Sequence, residues 1–229
     1  MLLAVDTSTA QIGLALYDGV QVAAESIWYS HQHHTIELAP ALAELMSRAG
    51  VKISDVEALG VAIGPGSFTA LRVGLAFIKG LALARKLAVV GIPTLDVLAA
   101  AQPASKLPLA AVLQAGRGRI ALGWYKRVED KARGSDTSWK SLGAAEITTA
   151  DALAESIDKP TLVAGELTAG DRQRLARKKV NVLLARPSLC VRRPSVLAEL
   201  AWTRWREGQV DEAASLAPIY LQLAQPIPT

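Results

Sequence analysis

Gly64-Pro65-Gly66-Ser67-Phe68-Thr69-Ala70-Leu71-Arg72-Val73-Gly74 decides how this chain folds. It follows the apolar run Ala58-Leu59-Gly60-Val61-Ala62-Ile63 and opens an apolar stretch that reaches Leu87. A buried strand over 58–63, a glycine turn and a long helix over 69–87 are therefore expected in succession. The glycines permit backbone angles closed to other residues, and Ser67 and Thr69 stand where a hydroxyl can cap the helix. The amides and dipole at that helix start favour an anion, which makes Gly64, Gly66, Ser67 and Thr69 candidate phosphate contacts. A strained strand-to-helix connection with capping hydroxyls accounts for the same residues.

The second signal is the opening Leu3-Ala4-Val5-Asp6-Thr7-Ser8-Thr9, an apolar strand ending in an acid and hydroxyls. A carboxylate at Asp6 can order a metal-bound water near a phosphate, with Thr7 and Ser8 donating to its oxygens. A turn that closes the hairpin through its own side chains is the other reading. Strands over 2–6, 12–17 and 20–28 follow from the pattern, the last two joined by Asp18-Gly19. A helix over 35–49 stops at Gly50, and the strand 89–92 runs through Pro93 into a helix that Thr94 can cap. This β-β-β-α-β-α-β-α run predicts a mixed sheet with helices on its faces, in an N-terminal domain over 1–102.

Gln102-Pro103-Ala104-Ser105-Lys106-Leu107-Pro108 reads as a linker. A smaller C-terminal domain over 109–229 begins as the first did, with strands 109–113 and 119–126 turning at Gly116-Arg117-Gly118. Segment 129–140 reads as an exposed loop. Further strands are expected at 161–164 and 180–184, and helices at 150–157, 168–178 and 195–208. The element order suggests an α/β fold made twice, with mixed sheets and a reduced second copy.

The helix 69–87 is apolar on nearly all sides. Its only charges are Arg72, Lys79, Arg85 and Lys86, of which 72, 79 and 86 recur every seven residues in one narrow stripe. The helix 35–49 sets Ile36, Leu38, Ala39, Leu42, Leu45 and Met46 against Glu37, Glu44 and Arg48. Such helices need cover on a second side, from another chain or from their own. The expected partner surface is Ile36, Leu42, Leu45, Met46, Leu71, Arg72, Leu75, Phe77 and Lys79, with Gly74 and Gly80 allowing close approach.

The net charge of +4 is unevenly placed: residues 1–107 hold seven Lys/Arg against eight Asp/Glu, and 108–229 hold eighteen against thirteen. The basic excess gathers between Arg172 and Lys179 and again at Arg186, Arg192 and Arg193, which would suit phosphate backbones or simply a solvated face. The single Cys190 can form no internal disulfide, the apolar runs are too short to span a membrane, and Asp6 interrupts any secretion signal, so a cytoplasmic protein is expected. His31, His33 and His34 lack the spacing of a metal site, and a capping or hairpin-packing role is preferred.

These residues resemble one known family, the bacterial TsaB (YeaZ) proteins. The likeness rests on Ala4-Val5-Asp6-Thr7-Ser8-Thr9, on His34-Thr35 before Leu38-x-Pro40, and on Gly64 to Gly74. Gly80-Leu81-Ala82, Gly91-Ile92-Pro93-Thr94-Leu95 and Ala217-Pro218-Ile219-Tyr220-Leu221 extend it. The resemblance implies a two-lobed actin, hexokinase and Hsp70 type (RNase H-like) fold and a part in making threonylcarbamoyladenosine in tRNA. It implies a non-catalytic scaffold subunit that pairs with a metal-holding TsaD chain, works with a TsaE ATPase through the complex, dimerises when alone and touches tRNA weakly or indirectly. It implies no membrane and no cofactor of its own, beyond a vestigial phosphate site at Asp6, Thr7, Ser8, Gly64, Gly66, Ser67 and Thr69. In catalytic relatives a histidine pair follows the equivalent of Ile92-Pro93, where this chain has Thr94-Leu95-Asp96-Val97-Leu98. Gln114 stands where the family has an acid, Ala70 where it has glycine and Gln222 where it has arginine. Two rival readings stand beside it: a small kinase or ATPase using the Asp6 and Gly64 segments, and an RNA-binding module using the basic residues from Arg172 to Arg193.

Overall fold

The computed structural model describes residues 1–30, 33–129, 137–178 and 180–221, which leaves His31, Lys179 and Gln222 outside the described residues. The chain divides into two compact units, one made of Met1–Val97 with Arg193–Ile219 and the other built on Leu98–Arg192.

In the first unit, β1 (Leu2–Asp6), β2 (Gln11–Tyr17) and β3 (Val22–Tyr29) form an antiparallel meander, and β4 (Ala58–Ala62) and β5 (Ala88–Ile92) extend it in parallel to give the order β3-β2-β1-β4-β5. Successive residues of the strands face opposite sides of the sheet. Leu3, Val5, Leu14, Leu16 and Leu59 point to one face, where α1 (His34–Ala49) and α2 (Phe68–Arg85) cover them with Leu38, Leu42, Leu45, Met46, Leu75 and Ile78. Ala4, Ala15, Ala58 and Ala62 point to the other, where α6 (Pro194–Arg206) lies close on them through Leu197, Ala198 and Ala201. Helix α1 ends on Gly50, whose left-handed backbone returns its amide to Met46 and Ser47.

The second unit repeats this plan. Strands β6 (Leu109–Gly116), β7 (Arg119–Glu129) and β8 (Thr137–Ser141) are antiparallel, and β10 (Thr161–Gly165) and β11 (Val182–Leu184) add in parallel, giving β11-β10-β6-β7-β8, with β9 (Glu146–Thr148) paired to β7. The helices are shorter: α4 (Ala150–Ser156) and α5 (Ala169–Ala176) bury Leu153, Ala154 and Leu175 on Val112, Leu122 and Val163. Helix α3 (Thr94–Ala100) follows β5 in the chain. No helix among the described residues is long and apolar enough to cross a membrane.

Two expectations need correcting. The segment read as an exposed loop over 129–140 ends in strand β8, whose Thr137–Ser141 register with β7 is set by backbone pairing rather than by apolar alternation. Residues 130–136 lie outside the described residues. The stretch 109–229, read as one C-terminal domain, returns to the first unit at Arg193. There Glu25 of β3 accepts hydrogen bonds from the Ser195 amide at 3.0 Å and the Ser195 hydroxyl at 2.6 Å, and it pairs with the Arg193 guanidinium. Glu25 thus supplies α6 with the cap that Arg193, at the N-cap position, does not.

Leu75 is 6% exposed between α2 and the sheet. Leu75→Ala is expected to lower the free energy of unfolding by about 2–5 kcal/mol, read from urea denaturation followed by circular dichroism. Unchanged stability would place that side chain outside the core. Burial pushes the Glu25 carboxyl up, but the bonds from Arg193 and Ser195 outweigh it and hold the group below its ordinary value of 4.5. The Glu25 clamp therefore contributes fully above that ordinary value and is lost as the pH falls through the lowered folded value. Glu25→Gln should be less stable than the parent by about 1–2 kcal/mol at pH 7, discounting for the half-exposed Arg193, with the gap closing in acid. A gap independent of pH would contradict this.

Candidate functional site

Of the residues expected to hold phosphate, the structure brings Asp6, Thr7, Ser8, Gly64, Gly66 and Ser67 together, but turned towards one another. Thr7 and Ser8 lie at the end of β1 and are buried. The Thr7 hydroxyl donates to the Ala70 carbonyl of α2 at 2.7 Å, the Ser8 amide donates to Asp6 Oδ1 at 2.8 Å, and the Ser67 amide donates to the Ser8 carbonyl at 2.7 Å. Ser8 Oγ lies 2.7 Å from Thr94 Oγ1, which also accepts the Gly64 amide at 2.9 Å. Thr94 therefore ties the turn to β1 instead of capping α3 with its side chain. Two glycines make the contact close enough: a Cβ at Gly66 would lie 2.2 Å from the Ser8 carbonyl oxygen, and one at Gly74 2.2 Å from the Thr7 hydroxyl oxygen. Thr7 thus spends its donor inside the protein, and Ser8 and Thr94 share one hydrogen between their oxygens. Ser67 and Thr69 are exposed at the start of α2, and Ser67 makes no side-chain cap.

His34 closes the same region from α1, its Nε2 lying 2.9 Å from the Thr9 carbonyl oxygen. His33 is 3.8 Å from Glu37, whose carboxyl is held below its usual range first by the Trp28 indole N–H. Of the three histidines, His34 packs on the β1–β2 connection, His33 is exposed and makes no side-chain cap, and His31 lies outside the described residues.

The joined turn and helices leave an apolar groove on the outer side of α1 and α2, of about 480 Å³, lined among others by Thr35, Ala39, Phe68, Arg72, Ala76 and Phe77. Leu42, Leu45, Met46, Leu71 and Leu75, read from the sequence as partner surface, are corrected to core: each is at most 8% exposed. Both sides of these helices are apolar, so spacing alone does not tell the side facing the sheet from the side facing out. Ile36 and Arg72 are exposed, while Phe77 and Lys79 are half-buried, Lys79 Nζ donating to the Ala214 carbonyl at 3.1 Å. Phe68 and Ala76 were missed. Phe68 is 53% exposed and carries the Arg72 guanidinium 3.6 Å above its ring. The signal for it was its place one turn before Arg72, on the charged stripe.

In the second unit, Gln114 donates to Asp171 Oδ2 at 3.0 Å and to the Glu166 carbonyl at 3.3 Å. Burial raises the Asp171 carboxyl, and hydrogen bonds from Thr168 and Gln114 together with Arg174 more than reverse this. An acid at position 114 would set a second carboxylate against Asp171, so the amide fits this neighbourhood where a carboxylate would not.

A family model described as TsaD, tRNA N6-adenosine threonylcarbamoyltransferase, matches residues 29–178. The tRNA threonylcarbamoyladenosine biosynthesis protein TsaB of Bacillus subtilis (strain 168) is 31% identical over 125 residues, 55% of this chain and 55% of that protein. The match thus spans about half the length of the curated relatives it reaches. Among solved structures, YeaZ from Pseudomonas aeruginosa has a TM-score of 0.78 at 26% identity, over 96% of this chain and 99% of that one. Component A of (R)-2-hydroxyglutaryl-CoA dehydratase from Acidaminococcus fermentans, at 11% identity and a TM-score of 0.51 over 89% and 98% of the two chains, shares the fold alone. The fold is the actin and hexokinase type expected from the sequence, with two mixed sheets and a reduced second copy. With nearly two thirds of its length matched by the TsaD model, this chain belongs to that family, and within it to the TsaB (YeaZ) proteins.

Proposed function

We propose that this chain is a non-catalytic scaffold subunit in the biosynthesis of tRNA threonylcarbamoyladenosine, docking through the α1–α2 face onto a TsaD-like catalytic chain. The observation that carries this reading is the groove between α1 and α2. Their inner sides are already filled by the sheet, yet Phe68, Ala39 and Ala76 line the outer groove, and Ile36 of α1, outside that lining, is 68% exposed. A rigid apolar depression with an arginine stacked on its rim suits a helical partner surface. The names of the relatives supply the pathway, and the turned-in hydroxyls of Thr7, Ser8 and Thr94 argue for a structural rather than a catalytic use of the strand ends. A TsaE-like ATPase would join through the complex, and the same face would close a homodimer when the chain is alone. Cytoplasm is the proposed location, where tRNA is modified.

The chain alone is expected to scatter light as a dimer and, mixed with a TsaD-like chain, as a heteromer. A monomer indifferent to TsaD would refute the subunit reading. Ile36→Asp with Phe68→Asp should weaken either association at least tenfold, about 1.4 kcal/mol or more, while leaving the melting temperature within a few degrees. Calorimetric titration of the isolated chain with Mg-ATP should show no micromolar binding. A clear micromolar isotherm would favour the rival kinase or ATPase reading instead.

A further inference from the structure

Four of the basic residues that stood out in sequence are engaged within the fold. Arg172 donates to the Ala185 carbonyl, Arg174 pairs with Asp171, Arg192 is buried against Glu166, and Arg193 holds Glu25. Arg177, Lys178 and Arg186 stay exposed and form no ion pair among the described residues, but a second set of such cations converges on a concave surface. Lys106, Lys126, Arg127 and Lys159 come from three separate segments of the second unit and surround one depression of about 590 Å³ whose other walls are Leu107, Pro108 and Val128. All four are exposed, and among the described residues none of them forms an ion pair with an acid.

Two further observations set this groove apart from an ordinary solvated face. Lys126 stands directly across the β7–β8 ladder from Lys140. Like charges in that position repel on the same face of a sheet and cost stability unless an anion lies near them. Charge is also divided by unit: residues 98–192 carry sixteen Lys/Arg against nine Asp/Glu, a net of +7, and the remainder of the chain carries nine against twelve, a net of −3. The summed field therefore draws a polyanion to the second unit, and within it the groove is where cations converge around a concave surface.

We propose that this groove binds phosphodiester groups of RNA, in a manner set by backbone charge rather than by base sequence. The proposal rests on the tRNA-modification reading for the identity of its RNA and adds to it a contact site on this chain. The depressed apolar floor lets a ribose lie between phosphates held by lysines on either side, as sequence-independent binders of single strands and loops require.

The test is fluorescence anisotropy with a labelled, unmodified tRNA transcript and the full chain, at several salt concentrations. Lys106→Glu with Lys159→Glu should weaken binding about tenfold or more at 0.1 M salt and reduce the slope of log K against log salt by roughly 1.4–1.8, which is 0.7–0.9 per lost phosphate contact. Arg177→Glu with Lys178→Glu changes net charge equally on the same unit and should lose less than about threefold. Should the charge-reversed groove pair fail to fold by circular dichroism, Lys106→Gln with Lys126→Gln and Lys159→Gln serves the same comparison. Equal losses in both pairs, an unchanged salt slope, or no binding by the parent chain at low salt would each overturn the groove. Micromolar binding of inorganic pyrophosphate that the groove variants abolish, with tRNA binding intact, would assign the site to a small phosphate compound and overturn the RNA assignment. The groove variants should still join the TsaD-like chain in light scattering. Loss of tRNA binding with that association intact is the expected result, whereas failure of the parent chain to associate would count against the subunit reading alone.

Discussion

The first unit depends on one contact, the seating of the Thr7-Ser8 turn into the connection from β4 to α2. Gly66 and Gly74 leave room for it, since a Cβ at either would fall 2.2 Å from an oxygen of Ser8 or Thr7. With that room present, the Ser8 carbonyl receives the Ser67 amide and the Thr7 hydroxyl reaches the Ala70 carbonyl. These bonds fix where α2 begins, and the His34 bond to Thr9 fixes where α1 begins. The groove between the two helices is thus a consequence of the turn. This accounts for why the two sequence signals occur together although they lie far apart in the chain: each is shaped to the other's surface.

The two faces of the first sheet show how residue size selects the number of helices. Where the strands present Leu3, Val5, Leu14 and Leu59, two long helices are needed to cover the bulk. On the other face, where Ala4, Ala15, Ala58 and Ala62 stand with Leu2, Val90 and Ile92, the single helix α6 comes close, near enough that a Cβ on Gly60 would meet Ala201 Cβ at 2.8 Å. Apolar side chains stand on both faces of β1, so burial alone does not say which face belongs to which helix. Volume does, because interiors fill to nearly constant density.

That distinction also separates what was legible in the sequence from what was not. Strands with strong apolar runs, the Asp18-Gly19 turn and the Gly50 stop were readable because local preference and final packing agree there. The doubling was readable as element order, and the orders β3-β2-β1-β4-β5 and β8-β7-β6-β10-β11 correspond, although β8 and the extra β9 on β7 were not read from the sequence. The return of α6 to the first unit was hidden, because its evidence is Glu25 meeting Ser195 across 170 residues, and no local pattern announces such a cap. Strand β8 was hidden because Thr137 to Ser141 is polar and gains its place from the ladder alone. The inner and outer sides of α1 and α2 were confused for the opposite reason, an excess of apolar signal: Leu75 and Phe77 look alike in sequence, yet one is core and the other lines the groove. The hydroxyls of Thr7 and Ser8 were chemically apt for phosphate, and only their partners show that they are already taken.

The distribution of charge follows a similar logic of compensation. A surface meant to meet another protein gains from being apolar and loses from charges that must be stripped of water, and among the residues lining the α1–α2 groove the one charge is Arg72, whose guanidinium lies over the Phe68 ring. A surface meant to meet a polyanion gains from cations that no internal acid has neutralised. The second unit holds both kinds of cation, and its acids discriminate between them: Glu166 and Asp171 are committed to Arg192 and Arg174, while Lys126 is left facing Lys140. Repulsion between two lysines on a strand pair is a standing cost to folding, and the fold could remove it by placing either acid opposite. That Glu166 is held by the buried Arg192 and Asp171 by the exposed Arg174 leaves the groove lysines without an acid among the described residues, so the same few carboxylates shape both the interior and the outer charge of the unit.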